Sequence, residues 1–285
     1  MISMAFDYSR ATSVDDALAK LKAADGAAKL IAGGHSLIPL MKLRLSEPGV
    51  LIDIARIPGL SGIRQQGDRI EIGAATTHND VASSALLASV CPVLSDAAGE
   101  IGDLQVRNRG TMGGSLAHAD PAADYPAVML ALDADIHVKG PSGSRAIKAH
   151  DFFRGLFTVD LAWDEIIVGV QFRPVKCGAY AKLYQRASHF AIVGVAAALD
   201  AENGTIRSAR IGLTGARSHA TRLTDVEEAL AGRPLSGSSI EEAARLAGVS
   251  LQDINSDIHA SEEYRRAMIP VFAGRALKRA LERAA

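Results

Sequence analysis

Two glycine-rich stretches hold the residues best suited to chemistry. The first, Gly33-Gly34-His35-Ser36, separates the apolar run "AKLIA" from "LIPLMKLRL", so it is a strand-to-helix turn. Glycine admits backbone angles closed to other residues and lets a ligand approach the main chain. The unpaired N–H groups and the dipole at a helix start favour an anion, phosphate above all. Ser36 stands where a helix cap belongs, and Pro39 falls in the first turn, where its missing N–H costs little. Taken alone, such a turn is either an anion cradle or simply a turn.

The second stretch is "QVRNRGTMGGSLAHADPAADYP", residues 105–126. Gly110, Gly113 and Gly114 alternate with Thr111 and Ser115, a composition rich in donors and poor in bulk. Asp120 and Asp124 both suit helix N-caps. Arg107 and Arg109 flank Asn108 and either face a phosphate or form a solvated pair. The stretch is expected to be a loop, serving either as a capped surface connection or as a binding element. Long unstructured loops inside compact domains are uncommon unless they work.

Other chemistries lose support. There is no G-x-x-x-x-G-K-[ST], no G-x-G-x-x-G opening a helix and no G-x-S-x-G elbow. The eight histidines form no metal-binding pattern, and Cys91 and Cys177 have neither ligand spacing nor the look of a disulfide framework. No catalytic residue and no metal ligand is therefore assigned, and a reducing compartment is expected. A net charge of −1 gives no reason to expect nucleic acid. "MISMAFDYSR" does not read as a secretion signal, and the longest apolar run, 191–199, is too short to cross a bilayer. The expectation is a cytoplasmic protein with no transmembrane segment. Trp163 and the phenylalanines are expected in cores or interfaces.

Periodicity supplies the elements that must position these residues. "VDDALAKLKAA" after Ser13 is a capped helix, "AKLIAG" and "VLIDIARI" are strands, and together with the helix after Ser36 they form a βαβ-like unit over residues 1–55. Residues 56–174 carry an alternating strand ("DRIEIGAATT"), helices in "NDVASSALLASV", "CPVLSDAAGEI" and "YPAVMLALDA", and strands in "DIHVKG", "SRAIKA" and "EIIVGVQF". Residues 175–285 read as three antiparallel strands, with "AENG" as the hairpin turn between the last two, followed by three helices. The fold class expected is α+β in three pieces.

At this point the segments "AGGHSLIPLMKLRL", "VLIDIARI", "IGAATTHNDV", "IGDLQVRNRGTMGGSLAHADPAADYPAVMLALDA" and "YAKLYQR" are together seen to resemble a known family. It is the FAD-binding medium subunit of molybdenum hydroxylases, the group that includes the flavoprotein of aerobic carbon monoxide dehydrogenase and the flavin domain of xanthine dehydrogenase. The resemblance runs from about Phe6 to the C-terminus and is strongest before Arg173.

The resemblance implies a two-subdomain FAD-binding fold of the vanillyl-alcohol oxidase/p-cresol methylhydroxylase type, followed by a C-terminal domain of three-stranded antiparallel sheet with helices. It implies that Ala32, Gly33, Gly34, His35, Ser36 and Leu37 wrap the FAD diphosphate. Thr111, Gly113, Gly114 and Ser115 match a second diphosphate and ribityl loop, and Ala117, Ala123 and Asp124 match further flavin contacts. Phe190 falls near an aromatic residue that lies by the isoalloxazine ring in some relatives. Some relatives carry a lysine near the flavin where Tyr184 aligns, with Lys182 two residues away, and some have asparagine in place of Ser115.

The implied function is an electron-transfer subunit that passes electrons from [2Fe–2S] clusters of a small partner to non-covalently bound FAD and on to an external acceptor. The molybdenum cofactor would reside in a large partner, the assembly would be a dimer of heterotrimers, and the complex would lie in the cytoplasm or peripherally at the inner face of the membrane. His35 is expected to touch FAD without a covalent bond, although more distant flavoenzymes of this fold attach FAD through a histidine in such a turn. Two rivals stand beside this reading: a self-contained flavin-dependent oxidase or reductase, and an FAD-free scaffold in which the glycine loops serve assembly.

Overall fold

The computed structural model describes residues 2–284. Its first region holds β1 (Asp7–Arg10), α1 (Val14–Ala23), β2 (Ala28–Ile31), α2 (Leu37–Lys42) and β3 (Val50–Asp53). The three strands form a parallel sheet in the order β1-β3-β2. Parallel neighbours need crossover connections, and α1 and α2 supply them. Ser13 starts α1 as expected, its hydroxyl accepting from the Asp16 N–H at 3.0 Å.

The second region contains β4 (Ile63–Gln66), β5 (Arg69–Gly73), α3 (His78–Ala82), α4 (Ala85–Val90), α5 (Pro92–Gly99), α6 (Leu104–Arg107), α7 (Met112–His118) and α8 (Asp124–Ala131). It continues with β6 (Asp135–Gly140), β7 (Gly143–Lys148), α9 (Ala149–Phe152), β8 (Phe153–Gly155), β9 (Thr158–Val159) and β10 (Ile166–Phe172). An antiparallel five-stranded sheet runs β4-β5-β10-β6-β7. In β6 every second residue is buried, the mark of a sheet with one covered face. One hydrophobic core extends through both of these regions.

The C-terminal region comprises β11 (Gly178–Tyr184), β12 (Ala191–Glu202), β13 (Thr205–Thr214), β14 (Thr221–Arg222), α10 (Thr224–Leu230), α11 (Gly237–Ala244) and α12 (Glu262–Glu282). The three long strands pair antiparallel as expected, and the two-residue β14 adds a fourth at the edge. The continuous apolar run of β12 has a physical reason: the strand is buried on both faces. Val193, Val195, Ala197 and Leu199 point into a core with α10, α11 and α12, while Ala196 and Ala198 point into the core of the first two regions.

Two expectations are corrected and a third is narrowed. Residues 105–124 are not a loop, since they hold most of α6 and all of α7. Ser36 precedes α2 but makes no side-chain cap hydrogen bond, because its own backbone is already helical (φ −103°, ψ −50°). Of the two places expected for Trp163, a core is not the one: it lies between β9 and β10 and is 60% exposed.

α8 packs against β13 at Gly212, where a Cβ would lie 2.7 Å from the Ala127 carbonyl carbon and closer still to its oxygen. Gly212→Ala should therefore push helix and sheet apart, costing roughly 2 kcal/mol and lowering the melting temperature by about 5 °C. An unchanged calorimetric melt would show that the seam is loose enough to absorb a methyl group.

Candidate cofactor site

The turn after β2 carries the first glycine pair. Gly34 has φ +74°, a left-handed angle that suits glycine. Among the described residues, the N–H groups of Gly33, Gly34, His35 and Ser36 have no acceptor, and the His35 ring Nδ1 lies 3.1 Å from the Gly33 carbonyl. Four adjacent donors on a partly exposed turn are geometrically available to an anion.

The second stretch is built differently. The segment from Ala74 to His78 zips against Gly110 to Gly113: the N–H of His78 donates to the Gly110 carbonyl, that of Met112 to Thr76 and that of Gly113 to Ala74, at 2.8–2.9 Å. Thr111 caps α7, its hydroxyl accepting from the Gly114 N–H at 3.2 Å, and the Ser115 N–H closes onto the Thr111 carbonyl. The first N–H groups of α7 are thus already engaged.

The fold presses these two stretches together. A Cβ on Gly33 would stand 2.7 Å from the Gly110 Cα and collide with the Arg109 carbonyl oxygen. A Cβ on Gly113 would stand 2.6 Å from that of Ala74. Gly114 and Ala117 remain exposed on α7, with Ser115 half-buried. Arg107 is turned away from the turn, its guanidinium donating to the Ile101 and Gly102 carbonyls at 3.0 Å.

α7 ends at Ala119 in a left-handed conformation (φ +47°) and leads to a pocket of about 280 Å³. Asp120–Ala122, Phe157 and Phe190 line it together with Asn255, Asp257, His259 and, from α12, Arg265. Thr214 holds the "DPAAD" segment by donating to the Pro121 or the Ala123 carbonyl, at 2.9 and 2.7 Å, and the Ala191 N–H donates to the Ala122 carbonyl at 3.1 Å. The Phe157 ring, at positive φ (+50°), packs 5.1 Å from that of His118 on α7. Tyr184 packs on His189 outside the pocket.

Asp124 and Lys182 come together, but inward. Ala123, not Asp124, occupies the cap position of α8, and the Asp124 carboxylate points into the protein interior. It meets Lys182 Nζ at 2.9 Å and the Tyr180 hydroxyl at 2.5 Å. Lys182 also donates to the Glu100 and His189 carbonyls, both at 2.8 Å, which uses all three of its N–H bonds. Burial pushes the Asp124 carboxyl up, opposed by the Lys182 charge and the Tyr180 hydrogen bond. Burial and the Asp124 charge together hold the Tyr180 phenol protonated.

Residues 4–174 match the family model described as the FAD binding domain in molybdopterin dehydrogenase, and residues 178–280 match that of the CO dehydrogenase flavoprotein C-terminal domain. The chain belongs to the FAD-binding medium-subunit family of the molybdenum hydroxylases. It is 38% identical to the carbon monoxide dehydrogenase medium chain of Hydrogenophaga pseudoflava, over 100% of this chain and 98% of that one. It is also 38% identical to the nicotine 6-hydroxylase medium subunit of Paenarthrobacter nicotinovorans, over 93% of each. The solved carbon monoxide dehydrogenase from Hydrogenophaga pseudoflava superposes with a TM-score of 0.95 over 100% of both chains. Quinoline 2-oxidoreductase from Pseudomonas putida 86 does so at 0.92, with 32% identity over 99% of each.

The residues of this medium subunit fit FAD. The four free N–H groups at Gly33–Ser36 suit a diphosphate, and the bare surface of Gly114 and Ala117 leaves room for a chain passing along α7. Lys182 and Asp124 offer such a ligand no free polar atom; they hold the elements around it. Two residues that sequence reasoning did not single out also shape the site. Tyr180 completes the Asp124 pair, readable only as the position two before Lys182 on one strand face. His78 lies under Gly110 and is signalled only as the residue after Thr77 in a capping box with Asp80.

Two predictions follow from these buried groups. Lys182→Met leaves the Asp124 charge without its cation and should cost roughly 3–5 kcal/mol in a denaturant melt, whereas adding Asp124→Leu should recover most of the loss; equal instability of the single and double variants would refute the pairing. His78 is held at about 4 against a usual 6.5 by burial, with His35 and Arg107 adding to the effect. Because the unfolded chain takes up this proton first, stability should be full above pH 6.5 and fall by roughly 3 kcal/mol as pH drops toward 4. His78→Gln should flatten that part of a melting-temperature profile, and an unaltered profile would show that other groups set it.

Proposed function

We propose that this chain is the FAD-carrying electron-transfer subunit of a molybdenum hydroxylase complex, linking the [2Fe–2S] clusters of a small partner to an external acceptor. The observation that carries the reading is the approach of the Gly33 turn to Gly110 with four donors left free. In this reading Ala32 to Leu37 hold the diphosphate, and Thr111, Gly113, Gly114, Ser115 and Ala117 border its path along α7. Ala123, Tyr184 and Phe190 bound the ring end, with Asp124 and Lys182 supporting them from within. Bound FAD would supply the ability to exchange electrons one or two at a time.

The chain's own residues then bind and orient. No acid–base group of this chain is required to act on the organic substrate, because that chemistry belongs to the large molybdenum partner. The family relationship supports assembly with a large and a small chain, as a dimer of heterotrimers. Among the described residues no helix is long and apolar enough to cross a membrane, and a cytoplasmic or peripheral location is part of the same proposal.

Reconstitution tests the reading. Apoprotein incubated with FAD should take up about one flavin per chain with a dissociation constant in the micromolar range or below, and acid precipitation should leave the flavin in the supernatant. Gly33→Ala should weaken uptake roughly a hundredfold, since one methyl group separates the two stretches. Colourless protein would overturn the proposal, and yellow acid pellets would make His35 a covalent attachment point. Turnover of substrate with FAD but without partner chains would favour a self-contained oxidase.

A further inference from the structure

His78 is 5% exposed, yet its Nδ1 has no hydrogen-bond partner among the described residues. Its ring stands against Gly110: a Cβ there would lie 2.5 Å from the imidazole Nε2 and 2.7 Å from Cδ2. Gly110 is also what Gly33 meets: a Cβ on Gly33 would lie 2.7 Å from the Gly110 Cα. The imidazole and the Gly33 turn thus both abut Gly110. Behind the ring, Tyr125 packs edge-on at 5.2 Å, its buried hydroxyl also without a partner.

We infer that His78 is a positioning residue for the cofactor, an uncharged spacer that sets how closely the two glycine stretches approach and so the width of the diphosphate cradle. The inference rests on FAD binding as proposed above. Position supports it: the His78 N–H is bonded to the Gly110 carbonyl at 2.9 Å, so backbone and side chain of one residue hold one glycine from two directions. Charge supports it as well. His35 on the turn and Arg107 on α6 both disfavour a charged ring, and Tyr125 on α8 offers only a neutral phenol. An imidazolium would be repelled there, and burial beside those groups keeps the ring neutral at ordinary pH.

A spacer and a merely stabilising residue behave differently. A stabilising residue lowers the melting temperature but leaves the flavin affinity of the folded protein unchanged. A spacer changes affinity, and its effect is coupled to Gly110. The test is FAD titration of apoprotein by flavin fluorescence, with melts of each apoprotein recorded alongside. His78→Ala should weaken binding roughly tenfold in protein that still melts cooperatively, and His78→Gln, which keeps a neutral side chain of comparable reach, should stay within about threefold of the wild type.

Gly110→Ala should cost roughly tenfold alone but less than about threefold in the His78→Ala background, where the colliding ring is gone. Equal losses in both backgrounds, or wild-type affinity in His78→Ala, would overturn the role. If His78→Ala does not fold, His78→Gln against His78→Asn makes the same comparison, the shorter amide being the weaker binder; equal affinities there would likewise overturn the role. Wild-type protein that takes up no flavin would overturn the FAD reading and this inference with it, whereas a binding wild type with indifferent variants would remove only His78.

Discussion

The approach of the Gly33 turn to Arg109 and Gly110 is a contact between two main chains with no side chain between them. Main chains come that close only where neither carries a Cβ at the point of contact, so a methyl group at position 33 is excluded by geometry rather than by polarity. Much of the surrounding structure serves this contact. The parallel sheet delivers the turn at the end of β2, and the segment from Ala74 to His78 supplies the hydrogen bonds that pin the opposing stretch. A single core continuous through both regions keeps the two from drifting apart.

The second organising feature is the buried ion pair. Taking Asp124 and Lys182 out of water costs several kcal/mol per charge, and their attraction offsets this only because the remaining valences are filled. Here they are: Tyr180 donates to the carboxylate, and two carbonyls share the ammonium with it. One of those carbonyls belongs to His189, at positive φ in the bend before Phe190. The pair therefore joins α8, which follows the "DPAAD" segment, to the strand and bend that present the pocket's aromatic wall. Alternation along β11 makes this possible, since Tyr180 and Lys182 share one face while Ala179 and Ala181 face the other core.

Much of this was legible in the sequence. Helical and strand periods placed β5, β6, β10 and the three long C-terminal strands, and the two glycine motifs singled out the stretches that the fold presses together. What failed to show has common physical causes. β1 and β4 have little apolar alternation because each is an edge strand with mostly exposed residues. α6 and α7 are four and seven residues long, too short for a period to emerge among so many glycines. The Asp124–Lys182 pair joins residues far apart in the chain, and no local pattern encodes a long-range contact.

The two glycine motifs look alike in composition but have opposite hydrogen-bonding states, and this refines what each contributes. At Gly33–Ser36 the donors are free, so the turn can address negative charge directly. At Gly113–Ser115 the donors are already spent on Ala74 and Thr111, so glycine there gives only space: clearance for Ala74 behind Gly113, and an open surface at Gly114. One motif attracts and the other makes room. A side chain added to the first would obstruct a main-chain contact, whereas one added at exposed Gly114 would narrow a path. Backbone donors also explain how a chain of net charge −1 can hold an anion without a cluster of lysine or arginine: the positive ends of N–H dipoles are fixed by the fold and need no side chain to be ordered.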